Sequence, residues 1–484
     1  MKTLKAQDKT GELLRAGQVL SITGNALVEW IGNGGVKLGP INITASGTLG
    51  PFDTDIEVII SALSDLIYSI DIYTDKDSSI LSKGLTNFDL IATRNAPPNI
   101  ALPAGIATQC EGRTWHIATD YISGFIEYTL WNGYLINGGG EIAATTTSTF
   151  WIQVEDKNNN IRGSGMWTLA PNELVQVILP ISGIISPGER FWEKTRMESA
   201  GGIMYQDKGR STNLATNQNI GGAAAGYTVA GEYFKYGTNL SNTIGVSGPY
   251  PVYANAGSSG SYNSIAAIAR RGITKKTGWA SFGDSRNGCY GHYATVITEN
   301  GGLYGEIEWL LKHKTAVLNL ASSGRFASEN AIAANMPIRM KLAALCGGVI
   351  MATGLNDLRT SAGGSAATAA TVIANHKALA DNLPNRKYCL ATVGPVTSAT
   401  DGQSGDVGGD RLTYNKVVRN GVYWADCFID TAYYSEAMTP DATPDNSPAY
   451  SGLWSKSEFS HDGIHGSGAY RAYLLDQPPI LLNF

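Results

Sequence analysis

The chain has 484 residues, a net charge of −5, only 16% charged residues and 57 glycines. That length predicts two to four domains, and charged residues well below the usual figure of about 25%, with glycine above about 7%, favour turn-rich β-modules over helical bundles or disorder. The slight acidity leaves no basic footprint for nucleic acid.

In chain order, residues 1–75 read as a small β-module. Its runs Gln18–Ile22, Ala26–Trp30 and Ile56–Ile60 are β-rich, and Gly-Asn-Gly-Gly and Gly-Pro turns punctuate them. Residues 76–99, ending in Ala96-Pro97-Pro98, are expected to be a linker. Residues 100–262 read as a β-sandwich with strands near Thr114–Ala118, Gly124–Trp131, Thr149–Val154 and Leu174–Leu179. Within them, 208–262 is rich in Gly, Ala, Asn, Ser and Tyr, and is expected to be an extended loop region ordered by a partner subunit. From 263 to 484 the pattern changes to short apolar strands, at Trp279–Phe282, Thr315–Leu320, Gly348–Ala352 and Tyr388–Val393, separated by helical patterns over 328–345 and 365–382. Such alternation predicts a parallel sheet flanked by helices, with functional loops at the carboxyl ends of the strands.

The five cysteines, Cys110, Cys289, Cys346, Cys389 and Cys427, form no C-x-x-C pair, so neither a disulfide framework nor a zinc site is signalled. Cys346 and Cys389 lie beside apolar runs and are expected to be buried thiols. The N-terminal Met1–Asp8 lacks the apolar core of a signal peptide, and no apolar run is long enough to span a bilayer. Neither export by that route nor membrane insertion is therefore expected.

Four short blocks follow one another in the last third of the chain: Phe282-Gly283-Asp284-Ser285, Asn319 to Gly324, Gly354-Leu355-Asn356-Asp357 and Asp462-Gly463-Ile464-His465. Together they contain a serine, sites for hydrogen-bond donors and an Asp/His pair, the equipment for acyl transfer through a serine ester. Any one block alone is weak: a turn serine after a buried strand, or an Asn-Asp helix cap, would look the same. Cys289, four residues beyond Ser285, is a competing nucleophile, but the other blocks are spaced around the serine. No G-x-S-x-G elbow, H-E-x-x-H or phosphate loop is present.

On these four blocks, the C-terminal part of the chain from about residue 272 resembles the SGNH (GDSL-type) hydrolase family. The resemblance implies that Ser285 is the nucleophile and that Asp462 orients His465 as general base. It further implies an oxyanion hole formed by the Ser285 and Gly324 backbone N–H groups and the Asn356 amide. No metal and no organic cofactor is implied. His465 must be neutral to act as a base, so activity should fall where it protonates. Two departures stand out: Arg286 follows the serine where the family often has an apolar residue, and Ala321 replaces the first glycine of the second block. Arg286, Asn287 and Arg325 lie near the expected cleft as contacts to a polar substrate. Tyr433, Tyr434, Tyr450 and Trp454 precede Asp462, and Tyr434 and Trp454 are candidates to stack on sugar rings, although packing into the core is the commoner fate of such aromatics. Asp284 is expected to hydrogen-bond within the serine's turn. His461 is expected to be exposed, and His116, His292, His313 and His376 to be structural or superficial.

The whole chain resembles bacteriophage tailspike and tail-fibre proteins, with β-modules preceding the hydrolase. That resemblance implies an esterase that removes O-acetyl groups from a capsule or O-antigen polysaccharide. It also implies a homotrimer located in the virion tail or extracellular after release, possible contacts to other tail proteins through the N-terminal module, and no nucleic-acid partner. A bacterial carbohydrate acetylesterase acting on plant or host glycans, and a glycan-binding receptor-recognition module with little or no catalysis, remain alternatives.

Overall fold

Short β-branched and aromatic runs between glycine and asparagine turns build most of the secondary structure among the described residues. The computed structural model describes the strands between Lys2 and Ile72 and, beyond them, residues 88–136, 140–205, 233–248, 265–271, 278–287, 305–312, 314–360, 366–439 and 449–481. The N-terminal strands form two antiparallel four-stranded sheets. One is ordered Lys2–Leu4, Leu66–Ile72, Gln18–Thr23, Ser46–Leu49, and the other Lys9–Leu14, Ile56–Ala62, Ala26–Ile31, Lys37–Ile43.

Next comes a sandwich of two antiparallel sheets. The first is ordered Ile161–Leu169, Ser148–Asp156, Arg190–Ser199, Gln109–Ile117, Tyr233–Gly237; the second is Leu174–Ile185, Ile122–Trp131, Ile265–Arg271, Phe88–Leu90. Alternate residues point inward, so Cys110, Phe150, Ile152, Val154, Phe191 and Met197 of one sheet meet Ile126, Tyr128, Leu130, Leu179, Ile181 and Ile268 of the other in one core. Fully burying an aliphatic or aromatic side chain of this size contributes about 1.5–3 kcal/mol.

The sandwich draws on residues outside the expected 100–262. Phe88–Leu90, expected in a linker, pairs with Ile265–Arg271, expected in the hydrolase region. Leu90 to Ala96 are buried: Leu90 packs into the core of the C-terminal sheet, and Ile91 and Ala92 into that of the sandwich. The expectation of a loop ordered by a partner also changes where it can be followed. Residues 233–248 are held by this chain's own sheet: Lys194 Nζ donates to the Val246 carbonyl at 2.6 Å, and Arg196 Nη2 to that of Leu240 at 3.0 Å. Both cations belong to a buried charged face in which Arg113 pairs with Glu155 at 2.6 Å and Arg196 with Glu111 at 3.4 Å. Residues 206–232 and 249–264 lie outside the described residues.

The C-terminal region is a three-layer α/β unit. Its sheet is wholly parallel, in the order Val317–Asn319, Trp279–Gly283, Gly348–Ala352, Lys387–Ala391, Cys427–Ile429. Successive side chains go to opposite faces. Ala280, Phe282, Leu318, Val349, Met351 and Leu390 pack under helices Ala327–Asn330, Pro337–Ala343, Ala369–Asp381 and Arg411–Arg419. Trp279, Val317, Ile350, Cys389, Ala391 and Ile429 pack under helices Glu306–Leu311 and Gly468–Asp476. The expected helix over 328–345 divides because Pro337, which has no N–H, begins a new helix. The chain reverses its order between the first strand's two neighbours, which puts the switch point at the carboxyl end of Trp279–Gly283.

Asn95 joins the sandwich to this sheet. Its Oδ1 accepts from the Ile268 N–H at 2.9 Å, and its carbonyl accepts from the Asn319 N–H at 2.8 Å. Glu141 makes a second join by accepting from the Ile338 and Arg339 N–H groups at 2.7 and 2.9 Å, at the start of the Pro337–Ala343 helix.

Candidate active site

The first strand ends at Gly283, where a Cβ would come within 2.4 Å of the Asn287 Cβ, so the chain turns there only without a side chain. In the turn that follows, the Asn287 N–H donates to the Asp284 carbonyl at 3.1 Å, and the Arg286 N–H donates to Asp284 Oδ1 at 3.1 Å. Asn287 ties this turn to both neighbouring strands. Its Nδ2 donates to the Ala352 carbonyl at 3.3 Å, and its own carbonyl accepts from Asn319 Nδ2 at 2.8 Å. Ser285 is thus held on a turn fastened on two sides, and it is 6% exposed.

Burial pushes Asp284 up to about 7, against the pull of the Arg286 charge and N–H. A raised carboxyl is protonated in the fold at a pH where the unfolded chain is ionised, so stability falls as pH rises from about 3.8 to about 7. Asp284→Asn keeps the acceptor oxygen without the charge. Melting temperatures should therefore coincide for the variant and the parent near pH 4, and the variant should melt progressively higher up to pH 8. A constant or reversed difference across that range would contradict the raised value.

After the second strand, the Arg325 N–H donates to the Ser322 carbonyl at 3.3 Å, and Gly324 has φ +77°, at the third position of a turn that requires a positive φ. After the third strand, Asn356 lies in the short helix Leu355–Leu358 and is 5% exposed. Its Nδ2 donates to the Arg325 carbonyl at 3.0 Å, which links the second and third blocks. Next to it, Asp357 Oδ2 accepts from the Ala327 N–H at 2.8 Å and so caps the start of the Ala327–Asn330 helix.

The fourth block comes back across the sheet from the far end of the chain. His465 Nε2 is 2.9 Å from Ser285 Oγ, and His465 Nδ1 is 2.6 Å from Asp462 Oδ2. Asp462 Oδ1 also accepts from the Ile464 and His465 backbone N–H groups, at 2.8 and 2.7 Å. Burial alone would raise Asp462. The hydrogen bonds from the His465 ring and the two N–H groups, with the ring's charge, outweigh burial and hold the carboxyl well below its usual range. With Nδ1–H given to the carboxylate, Nε2 is the acceptor for the serine hydroxyl. Gly463, at φ +76°, lets this loop pass the Thr397 carbonyl, which a Cβ would meet at 2.4 Å.

Four blocks spread over about 180 residues therefore converge at one place, the span between Ser285 and His465 being 180. The expected substrate contacts fare differently. Arg286 and Arg325 are each 3% exposed and Trp454 is 1% exposed. Arg325 Nε donates to Asn330 Oδ1 at 2.9 Å, and Trp454 Nε1 to the Gly463 carbonyl at 3.1 Å. Each is buried among partners of its own chain. Tyr434 is half-buried with its ring centroid 5.2 Å from that of Tyr433, which is 48% exposed. His461 is exposed, whereas His116 and His376 are buried. Cys346 and Cys389 are buried. Cys289, His292, His313 and the Tyr450 side chain lie outside the described residues. Among the described residues no group of three His, Cys, Asp or Glu side chains is placed to hold a metal ion.

Sequence reasoning missed Asn95, placed Asn287 as a contact to a polar substrate, and included Asn319 and Ser322 in the second block without the bonds they make. Asn319 holds the serine turn, and Ser322 Oγ donates to the Ile136 carbonyl of the sandwich at 2.8 Å. Nothing local marks them, because each acts across a strand-to-strand or module-to-module gap.

No protein-family model and no curated protein matches the chain. Among solved structures, it is similar to a family two carbohydrate esterase from Clostridium thermocellum in complex with cellohexaose. The identity there is 14% over 77% of this chain and 90% of that one, with a TM-score of 0.26. A family two carbohydrate esterase from Cellvibrio japonicus gives 12% identity over 75% and 95%, with a TM-score of 0.28. A GDSL-like lipase from Parabacteroides merdae gives 19% over 42% and 94%, with a TM-score of 0.28.

Proposed function

We propose that this chain is a serine esterase of SGNH type that removes acyl groups, foremost O-acetyl, from a polysaccharide. The carrying observation is the continuous chain from Ser285 Oγ through the His465 ring to Asp462, at 2.9 and 2.6 Å. In this reading, Oγ attacks the ester carbon while its proton passes to His465 Nε2. The sugar hydroxyl then leaves with that proton. Water, deprotonated by the same nitrogen, attacks the acyl-serine and releases acetate. The oxyanion is met by the Ser285 and Gly324 N–H groups and by the Asn356 amide, whose orientation is fixed by its bond to Arg325. Each such donor typically contributes about 3–4 kcal/mol to lowering the barrier.

Asn356→Ala should accordingly lower kcat by about 10²–10³-fold with KM nearly unchanged. Steady-state kinetics on a small acetyl ester checks this, and a change confined to KM would remove Asn356 from the oxyanion site. The substrate reading is tested by acetate release from a panel of O-acetylated bacterial polysaccharides, comparing the parent with Ser285→Ala. Loss of release in the variant supports a serine deacetylase; release that survives contradicts it. The phage tailspike setting, with capsule or O-antigen as substrate, is part of the same proposal. It is supported by the β-modules that precede the site, and it expects a homotrimer. A monomeric mass by light scattering would contradict the trimer.

A further inference from the structure

We propose that Arg286 is a positioning residue that fixes the peptide carrying His465, and so sets the place of the imidazole relative to the Ser285 hydroxyl; this rests on the serine-esterase reading above. Arg286 directly follows the serine, and its backbone is held on both sides. Its N–H donates to Asp284 Oδ1 at 3.1 Å and its carbonyl accepts from the Glu306 N–H at 3.2 Å. From that fixed base the side chain runs inward. Nε donates to the Ile464 carbonyl at 2.8 Å, and Nη2 donates to the Pro395 carbonyl.

The Ile464–His465 peptide is therefore held at both ends. Its carbonyl is bound by Arg286 and its N–H by Asp462 Oδ1 at 2.7 Å. Trp454 adds to the arrangement: its ring centroid lies 5.2 Å from the Arg286 guanidinium carbon, and its Nε1 takes the preceding carbonyl, that of Gly463, at 3.1 Å. The guanidinium also fits closely against Gly394, where a Cβ would come within 2.4 Å of Nη1. One side chain thus spans from the nucleophile's turn to the base's loop and to the loop after the fourth strand. A planar fork suits two carbonyls in fixed directions, and a lysine's point charge does not. Misplacing reacting groups by about 1 Å costs up to about 10²-fold in rate.

The test compares the parent, Arg286→Lys, Arg286→Met and Arg286→Ala on a small acetyl ester, with near-ultraviolet circular dichroism to report folding. The expected result is a kcat lower by about 10–100-fold with KM within about twofold, and partial recovery of Arg286→Ala by added methylguanidinium. Parent-like kcat in any folded Arg286 variant overturns the proposal, as does a defect confined to KM, which would return Arg286 to a substrate contact. If every Arg286 variant fails to fold, Gly394→Ala, whose Cβ would press on Nη1 at 2.4 Å and on Ser435 Oγ at 2.6 Å, is made alone and with Ser435→Ala, which removes that second contact: a kcat lowered in both supports the proposal and a parent-like kcat in the double variant overturns it. A parent that hydrolyses no ester sinks the esterase reading instead, whereas an active parent silenced by Ser285→Ala with parent-like Arg286 variants sinks this inference alone.

Discussion

Ser285→Ala is expected to lower kcat on a small acetyl ester by about 10⁴–10⁶-fold while the protein stays folded. The size follows from chemistry: without Oγ there is no acyl-enzyme, and only donors and binding remain to act on the ester. The fold should survive because the turn is held by other atoms. Asp284, Asn287 and Asn319 supply its hydrogen bonds, and Gly283 supplies its clearance. Activity on the ester combined with an unchanged melting temperature checks both halves. A variant with more than about a tenth of parent activity would place the nucleophile elsewhere.

Asp462→Asn is the second large effect, with an expected loss of about 10³–10⁴-fold at neutral pH. The carboxylate accepts from His465 Nδ1 through one oxygen and from two backbone N–H groups through the other. An amide can keep the backbone acceptor, but it turns an N–H towards the ring. The imidazole then carries its proton on Nε2 and can no longer take the serine's. Because the folded carboxyl is held below its ordinary value, it also contributes stability that is fully present above about pH 3.8 and lost as pH falls further. The variant should therefore melt lower than the parent at pH 7, and the difference should shrink in strong acid. Kinetics and melting at pH 7 and pH 3 read both effects; near-parent kcat would leave the ring oriented by something else.

The parallel sheet and the four blocks were legible in the sequence for a physical reason. A strand buried on both faces must be apolar throughout, as in Gly348–Ala352, and the residue that follows it must turn, which marks Ser285 and Asn356 by position. Cys427–Ile429 was not legible, since Asp426 and Asp430 flank it directly, whereas the equally short Val317–Asn319 is extended by the apolar Ala316 and Leu320. The sandwich boundaries were misread because Phe88–Leu90 and Ile265–Arg271 pair with each other across more than 170 residues, and no local pattern records a partner that distant. Arg286 shows the same limit in the site. Its place beside the serine suggested a cleft contact, yet its side chain points inward to the Ile464 and Pro395 carbonyls. The charge was visible in the sequence; the direction it faces was not.

All of this chemistry rests on Ser285 as the nucleophile, activated by His465. The most direct measurement is mass spectrometry of the parent protein after reaction with a fluorophosphonate, followed by peptide mapping. One adduct per chain is expected, on the peptide containing Ser285, formed in step with loss of esterase activity and absent from Ser285→Ala. An adduct on a different residue, or full loss of activity with Ser285 unmodified, would contradict it.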